Sequence, residues 1–354
     1  MIKFIKKNPA IPQRWIVLTA LAYSLTAAQA QTPQAEKAFI KENMEFATKQ
    51  YSLMMQTPAQ GKNGKAIMPH SIRKDGTPSK GSIYLWTAGF FPGTLWYLSN
   101  YTGDKALQDS ALVYTHQMEP AKTFTDNHDI GFMMYCSYGN ANRFAPKDEY
   151  EDILVESARS LCTRFRPQAK VIQSWNGFRS WHGDKVYDFP VIIDNMMNLE
   201  LLFHASKVTG DESFRKVAIS HAEQVMHHQV RKDYSCFHII YYDKKTGKPI
   251  KGETSQGYSD NSAWSRGQAW GIYGFTMCYR ETKDKRFLKT AEKMADFYLD
   301  HPNLPSDKVA WWDFNAFQEG YTPGIRSNAC KMVNNYRDAS AAACVASALL
   351  ELST

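Results

Sequence analysis

The chain is poor in cysteine, and the cysteines that it has are scattered. Its 354 residues contain six of them, at positions 136, 162, 236, 278, 330 and 344, with no C-x-x-C spacing. So few and such widely separated cysteines exclude a disulfide-built scaffold in a chain of this length. We expect the six to be buried free thiols.

Strong charge of one sign is also lacking. The formal net charge is +7, and it falls to +3 when residues 1–30 are left out, because these carry four basic residues and no acidic ones. So small an excess does not favour nucleic acid as a partner, and we expect none. With 44% hydrophobic and 13% aromatic residues, the chain instead has the composition of a globular protein with a large core.

No apolar run beyond residue 30 is long enough to span a bilayer, so we expect no membrane partner. Residues 1–30 begin with basic residues, continue with the fourteen-residue apolar stretch WIVLTALAYSLTAA and end at Ala28-Gln29-Ala30. This is the pattern of a secretory signal peptide. We therefore expect cleavage before Gln31 and export, to a periplasm, of a single domain comprising residues 31–354.

The rest of the chain repeats one pattern of helices. A polar turn with an Asp precedes an amphipathic helix in segments 100–114, 145–161, 208–226 and 282–299, and each Asp is placed to cap its helix. The segments before the turns are apolar nearly all round, as in helices enclosed by other helices. The pattern predicts an all-α toroid of hairpins, with inner helices surrounded by outer ones. Strands are scarce, and residues 236–243 with the turn after them are the best β-hairpin candidate.

The run DFPVIIDNMMNLELLFHAS, residues 188–206, is apolar enough to be buried on all sides, yet it has Asp194 near its start. A helix N-cap, worth ~1 kcal/mol, is one explanation. Asp129 precedes a second such run in the same manner. If the inner helices run in the same direction, both carboxylates reach one mouth, and burial raises the pKa of one so that it can act as a general acid. The residues alone leave both explanations open.

A third stretch, GYSDNSAWSRGQAWGIYGF at residues 257–275, places polar and aromatic side chains at the start of another inner helix. These are Trp264, Arg266, Gln268, Trp270 and Tyr273, with Gln256 just upstream and Trp86, Trp175 and Trp181 as further rings. One interpretation is core packing, with Arg266 as an ion-pair partner. The other is a carbohydrate site, because flat rings stack on sugars and Arg with Gln binds carboxylate and hydroxyl groups.

Several motifs together carry a resemblance to a known family. They are HDIGF (128–132), IQSW (172–175), IIDNMMNLELLF (192–203), QGYSDNSAWSRGQAWGIYGF (256–275) and NNYRDASAAACVASALLELS (334–353). Residues 80–353 resemble the unsaturated glucuronyl hydrolases, glycoside hydrolase family 88. The resemblance implies an (α/α)6 toroid, here expected to lack its last one or two helices. It also implies a hydrolase that releases 4,5-unsaturated uronic acid from lyase-generated glycosaminoglycan or related fragments.

The resemblance also implies roles for individual residues. Asp194 would protonate C4 of the unsaturated sugar and take a proton from the water that attacks C5, while Asp129 would orient the substrate and keep Asp194 protonated. The sugar subsite would be lined by Trp86, Trp175, His238, Gln256, Arg266 and Trp270. Trp181 could replace Trp175. The partner is an unsaturated oligosaccharide, and we expect no cofactor and no metal, with His227 and His228 read as the polar end of an outer helix.

Three other functions stay open at this point. One is an unsaturated rhamnogalacturonyl hydrolase with the same fold and chemistry. The second is a sugar epimerase of similar shape, which would use His128 and His238 as bases. The third is an inactive glycan-binding remnant.

Overall fold

A computed structural model describes residues 33–56 and 68–354, and the predicted signal peptide lies outside the described residues. The chain divides into two compact units, of which the first ends at Tyr51 and the second begins at Ser52. Helix α1 (Pro33–Met55) forms the described part of the first unit and the start of the second, and none of its side chains is buried.

The second unit is built from helical hairpins. In chain order its helices are α2 (Phe90–Thr102), α3 (Lys105–Gln117), α4 (Ile130–Met134), α5 (Asn140–Phe144), α6 (Asp148–Cys162), α7 (Leu199–Thr209), α8 (Glu212–His228), α9 (Ser265–Thr282), α10 (Lys285–Asp300) and α11 (Ala339–Leu352). A π-helical turn, Tyr135–Gly139, joins α4 to α5. Short 3-10 helices cover Glu119–Thr123, Ile193–Asn198 and Asn328–Lys331.

The helices form two layers, as the apolar patterns predict. The inner helices contact one another in succession, from α2 through α4–α5, α7 and α9 to α11, and α3, α6, α8 and α10 pack behind them. Outer helices bury one face only: in α10 the buried residues include Phe287, Ala291, Met294 and Tyr298, at helical spacing. The inner helix α9 is buried along most of its length.

Three of the four inner-to-outer turns share a Thr-X-Asp sequence: Thr102-Gly103-Asp104, Thr209-Gly210-Asp211 and Thr282-Lys283-Asp284. The middle residue has positive φ (71°, 72° and 58°) and closes the inner helix. The Asp side chain caps the outer helix, and its backbone N–H donates to the Thr hydroxyl at 3.1–3.2 Å. The caps predicted at these three turns are confirmed.

The fourth turn is different. Asp148 is the first residue of α6, and Lys147 occupies the N-cap position without a side-chain hydrogen bond. The predicted cap at Asp148 is therefore wrong. Lys147 has the extended backbone of an N-cap residue (φ −146°, ψ 143°), so Asp148 enters the helix one residue too late to act as the cap. Its charge still lies in the first turn of α6, which favours negative side chains.

The strands are short and form small antiparallel sheets. They are β1 (Met68–Ile72), β2 (Pro78–Gly81), β3 (Phe165–Arg166), β4 (Val171–Ile172), β5 (Phe178–Arg179), β6 (Val186–Tyr187), β7 (Pro190–Ile192), β8 (Ile239–Tyr242) and β9 (Pro249–Glu253). The hairpin predicted at residues 236–243 is β8–β9. Strand β7 adds to it with Ile192 opposite Ile239, so the apolar run that contains Asp194 begins as a strand.

All six cysteines lie in the described residues and are unpaired. Cys236 and Cys278 are buried as predicted, whereas Cys330 is exposed, so the prediction of a buried thiol is wrong there. Cys330 lies within the short 3-10 helix Asn328–Lys331, a position that composition does not reveal. Across residues 33–56 and 68–354, no helix combines the length and the apolar character needed to cross a membrane.

Candidate active site

A glycine brings two inner elements into direct contact. A Cβ built on Gly131 would lie 2.5 Å from Asn198 Oδ1 and 2.6 Å from Asn198 Cα, so no larger residue fits at this position. The Asn198 side chain accepts a hydrogen bond from Phe132 N at 2.8 Å. Asp129 and Asp194 precede these two contact points, and they are thereby held at the same end of the inner layer. The contact between Gly131 and Asn198 was not predicted from the sequence, although the glycine of HDIGF was a signal for it.

Asp194 is a buried carboxyl. Its side chain is 13% exposed, and Oδ2 has no hydrogen-bond partner. Burial raises the pKa of Asp194 to about 7, the negative charge of Asp129 adds to this rise, and His128 and Arg266 oppose it. The side chain makes no capping hydrogen bond, which removes the N-cap explanation for this residue. A carboxyl that is half protonated near neutral pH can give and accept protons.

His238 faces Asp194 with a fixed ring nitrogen. Its Nδ1 accepts hydrogen bonds from Ser255 N at 2.9 Å and Gln256 N at 3.2 Å. Burial lowers the pKa of His238 to about 3, with further lowering by Arg266 and His128, so the ring is neutral. A neutral imidazole that accepts at Nδ1 carries its proton on Nε2. That atom lies 3.6 Å from Asp194 Oδ2 and presents an N–H to it.

Asp129 has a similar neighbour on its own side of the site. His128 Nε2 lies 3.2 Å from Asp129 Oδ1, and His128 Nδ1 lies 3.3 Å from Ser174 Oγ. Since Ser174 Oγ already accepts from Ile192 N at 2.9 Å, its own proton is free to be donated to Nδ1. Asp129 occupies the N-cap position of α4 without a side-chain capping bond. The N-cap explanation therefore fails for both aspartates.

One row of rings leads into the site from the turn before α2. Trp86, which is 37% exposed, lies 5.7 Å from Phe132, and Phe132 lies 5.5 Å from Trp270. Trp270 is buried and its Nε1 has no hydrogen-bond partner. These rings form an aromatic surface beside Gly131.

A second group of rings surrounds His238. Trp264 lies 4.6 Å from His238 and Trp175 lies 6.4 Å from it, centroid to centroid. Trp181 lies farther out, where its Nε1 donates to Ser255 O at 3.3 Å. Of the two alternatives raised by the sequence, Trp175 is therefore the ring that contacts the site histidine.

Arg266 combines the two interpretations that the sequence left open. Its Nη1 lies 3.6 Å from Asp338 Oδ2, and its guanidinium lies 5.3 Å from the Trp264 ring. Asp338 also caps α11, so this contact connects two inner helices. The Arg266 side chain remains 25% exposed, and its charge acts on Asp194. It braces the fold and is still accessible to a ligand.

The three polar residues grouped with Arg266 are separated by the structure. Gln256 is exposed at the rim, and its carbonyl accepts from Trp312 Nε1 at 2.8 Å. Gln268 is fully buried and donates to Tyr234 O and Met294 O, while Tyr273 donates to Glu200 Oε2 at 3.3 Å. The carbohydrate-site interpretation of Gln268 and Tyr273 is wrong. Gln268 lies on a different face of α9 from Arg266. Tyr273 shares the face of Arg266 and Trp270 but lies seven residues after Arg266, about 10 Å further along the helix, where it contacts Glu200.

Histidines, cysteines and carboxylates form no group of three with the geometry to hold a metal ion within the described ranges. His227 and His228 end helix α8. His228 has its pKa lowered by burial and by His227.

Comparison with known proteins identifies the family. The family model for Glycosyl Hydrolase Family 88 matches residues 65–281. An unsaturated glucuronyl hydrolase of Formosa agariphila is 44% identical over 82% of this chain and 66% of its own length, and an unsaturated chondroitin disaccharide hydrolase of Streptococcus pyogenes is 35% identical over 77% and 66%. A crystal structure of an unsaturated glucuronyl hydrolase specific for heparin matches with a TM-score of 0.78 and 41% identity, over 89% of this chain and 78% of that one.

The chain belongs to glycoside hydrolase family 88, and the resemblance stated from its motifs is confirmed. The predicted fold class, a helical toroid, is confirmed as well. The chain spans about two thirds of the length of the curated relatives that it matches, 66% in both cases above.

Proposed function

We propose that this protein removes the 4,5-unsaturated uronic acid from the non-reducing end of glycosaminoglycan fragments, by adding water to the double bond. The observation that carries the proposal is the state of Asp194. Its pKa of about 7 and its unpartnered Oδ2 leave it able to donate a proton and take one back near neutral pH. Asp129 supports this state by raising that pKa.

The reaction then proceeds in balanced steps. Protonated Asp194 gives its proton to C4, and positive charge develops at C5, next to the ring oxygen. A water attacks C5 and loses a proton to the Asp194 carboxylate, which restores the acid. The resulting hemiketal opens by breaking the bond between C5 and the ring oxygen, which leaves a ketone at C5 and a hemiacetal at C1. Collapse of that hemiacetal releases the next sugar.

The surroundings of Asp194 suit such a substrate. The uronate carboxylate needs a cation, and Arg266 is a partly exposed one beside the acid. Trp86, Trp175 and Trp270 offer ring faces for sugar rings, and Gln256 is exposed at the rim. His238 presents an Nε2–H towards the reacting region without adding charge, because it stays neutral. These subsite roles are part of the proposal.

The substrate class is supported by the relatives. One is named for unsaturated chondroitin disaccharides, and one solved structure is named as specific for heparin. The shared group in both cases is the unsaturated uronate. We propose a glycosaminoglycan-derived disaccharide as the smallest substrate.

The test uses unsaturated disaccharides made by lyase digestion of chondroitin and of heparin. We expect loss of the ultraviolet absorbance of the conjugated double bond, and no reaction with the saturated disaccharide of the same sugars. In heavy water, rapid quenching should show deuterium on C4 of the product, because hydration forms a new C–H bond there. Release of a monosaccharide that still carries the double bond would contradict hydration. An epimerase would keep the absorbance, and a binding remnant would only retain the sugar.

We also propose that the protein is exported and acts in the periplasm. The support is the basic, apolar and Ala28-Gln29-Ala30 pattern of residues 1–30. Expression with this segment should yield a periplasmic protein that begins at Gln31 by N-terminal sequencing. An unprocessed protein in the cytoplasm would contradict export without affecting the proposed reaction.

A further inference from the structure

Arg164 is a buried cation that the proposed reaction does not use. Its side chain is 3% exposed, and its hydrogen bonds in the described structure go to uncharged oxygens. Nε donates to Gln173 O at 2.7 Å, Nη1 to Thr125 O, and Nη2 to Ser174 O at 3.3 Å and Asn176 Oδ1 at 3.1 Å. Burying a charge without a paired carboxylate is unfavourable. The planar guanidinium group donates hydrogen bonds to two separate segments of the chain and so connects them.

Both segments lead directly to the site. Thr125 lies on the loop that ends in His128 and Asp129. On the other segment, Ser174 O accepts from His128 N at 3.2 Å, and Ser174 Oγ accepts from Ile192 N at 2.9 Å. Ile192 is the last residue of β7, two positions before Asp194. Ser174 therefore contacts the chain just before each carboxylate.

We propose that Arg164 and Ser174 are positioning residues that set the separation of Asp129 and Asp194. Arg164 holds the loop before Asp129 against residues 173–176, and Ser174 connects those residues to the strand before Asp194. The hydrogen bonds of both side chains go to groups outside the proposed sugar subsite. The kinetic part of this inference rests on the proposed function.

The first test compares Ser174→Ala with Ser174→Thr. Ser174→Ala removes only the hydroxyl, so we expect kcat to fall by about 10- to 100-fold while KM changes by less than about threefold. Ser174→Thr restores the hydroxyl and should recover most of the lost kcat. Ser174→Ala with a lowered melting temperature but the parent kcat, measured well below that temperature, would mean that Ser174 only supports the fold.

The second test uses a neighbouring arginine as the matched control. Arg166 Nε donates to Gln173 Oε1 at 3.0 Å, so it touches the same segment but neither Thr125 nor Ser174. Arg164→Lys keeps the charge and loses the fork, and we expect a fall in kcat of about tenfold or more, against less than about twofold for Arg166→Lys. Equal kcat values in the two variants would overturn the assignment of Arg164.

A third measurement does not depend on turnover. The carboxyl carbon of Asp194 is followed by NMR titration, with its signal identified by its absence in Asp194→Asn. In Ser174→Ala the loosened segment admits water, so the midpoint should move from about 7 towards the ordinary value of 3.8 by about half a unit or more. A wild-type protein that leaves the double bond intact would refute the proposed function alone. An unchanged midpoint in Ser174→Ala, together with an unchanged kcat wherever turnover exists, would refute the positioning role.

Discussion

Two polar clusters of the inner layer treat buried groups in opposite ways. In the site cluster, Asp194 Oδ2, His238 Nε2 and Trp270 Nε1 are buried without a hydrogen-bond partner. In the second cluster, the largely buried Glu200, in the first turn of α7, accepts from Arg280 and from Tyr273, and Arg280 also donates to Glu351 at 2.8 Å. Arg280 follows Arg266 by 14 residues on α9, which is about 21 Å along the helix.

The difference is the one expected between a cluster that stabilises the fold and a cluster that binds a ligand. Buried polar groups are normally paired, because an unpaired one costs about 1–3 kcal/mol. The network at Glu200 meets this rule, and burial raises the pKa of Glu200 without leaving it alone. The atoms around Asp194 do not meet it, and a sugar with hydroxyl and carboxylate groups would supply the missing partners. Predictions for changes at five positions test this contrast, from the largest expected effect to the smallest.

Asp194→Asn should abolish turnover. Asn keeps the size of the side chain but cannot donate and recover a proton, and proton transfer of this kind contributes ~10²–10⁴-fold. Ultraviolet absorbance of an unsaturated disaccharide measures the rate. A variant that keeps more than half of the parent rate would remove Asp194 from the reaction.

The same variant should be more stable than the parent at alkaline pH. The folded-state pKa of Asp194 is about 7, above its ordinary 3.8, so the folded protein binds the proton more tightly than the unfolded chain. Stability of the parent therefore falls as pH rises from 3.8 to about 7 and then levels off. The asparagine side chain does not titrate, so the variant does not show this fall in stability with rising pH. The melting temperatures of the two proteins should therefore converge below about pH 4.

Gly131→Ala should reduce kcat by ~10²-fold, because the added Cβ pushes Asn198 away and displaces the two carboxylates. We also expect a loss of about 1–3 kcal/mol in the free energy of unfolding. Gly183→Ala is the matched control, since its Cβ would meet nothing within 4 Å. Parent kinetics in Gly131→Ala would show that the contact with Asn198 does not set the site geometry.

Arg266→Lys should lower kcat/KM by roughly ten- to a hundredfold, mainly through KM, because a planar guanidinium suits a carboxylate better than an ammonium does and such a contact is worth ~1.5–3 kcal/mol. Asp338→Asn distinguishes the structural role of Arg266 from substrate binding. It removes the ion pair between Arg266 and Asp338 but keeps a residue that can cap α11. If Asp338→Asn reproduces the whole effect of Arg266→Lys, Arg266 acts only as a brace.

The activity of the parent should decline as pH rises through about 7, since the reaction starts from protonated Asp194 and its pKa is about 7. In Asp129→Asn this limit should move to lower pH, because the negative charge of Asp129 is one of the causes that raise that pKa. Rates measured across pH 4–9 with saturating disaccharide give both limits. A limit that stays in place would show that the two carboxylates do not interact.

Glu200→Gln, in the second cluster, should leave kcat within about twofold of the parent, because Glu200 shares no hydrogen-bond partner with the proposed site residues and such positions act nearly independently. We expect a cost of about 1–3 kcal/mol in stability, since Arg280 loses one of its charged partners. Urea unfolding measures the cost. A large fall in kcat would mean that the two clusters are coupled and would break the contrast drawn above.

The sequence predicted the fold, and it predicted that Asp129 and Asp194 lie at the same end of the inner layer, because both follow from periodicity and residue type. Apolar runs identified the inner helices, and an aspartate at the start of two of them identified Asp129 and Asp194. These signals come from the local sequence. They also predict where the residues lie in the folded protein, because the inner helices run in the same direction. The same holds for Arg266 and His238, which the family motifs place at this end.

Features that depend on contacts across the chain were not predictable. Gln268 and Arg266 are two residues apart, and only the packing against Met294 shows that Gln268 is turned away. The roles of Ser174 and Arg164 depend on backbone carbonyls, which every residue has. The hydrogen bonds that fix the tautomer of His238 come from backbone N–H groups of a loop, and no side-chain pattern encodes them.

The Thr-X-Asp turns have a practical consequence for protein engineering. All three lie at the ends of the inner helices remote from Asp194, and each closes its helix with the same hydrogen bonds. The three turns therefore share one local geometry, and none of the proposed site residues lies on them. An affinity tag or a fluorescent label attached at Lys283 would report on the folding of the inner layer without touching the substrate.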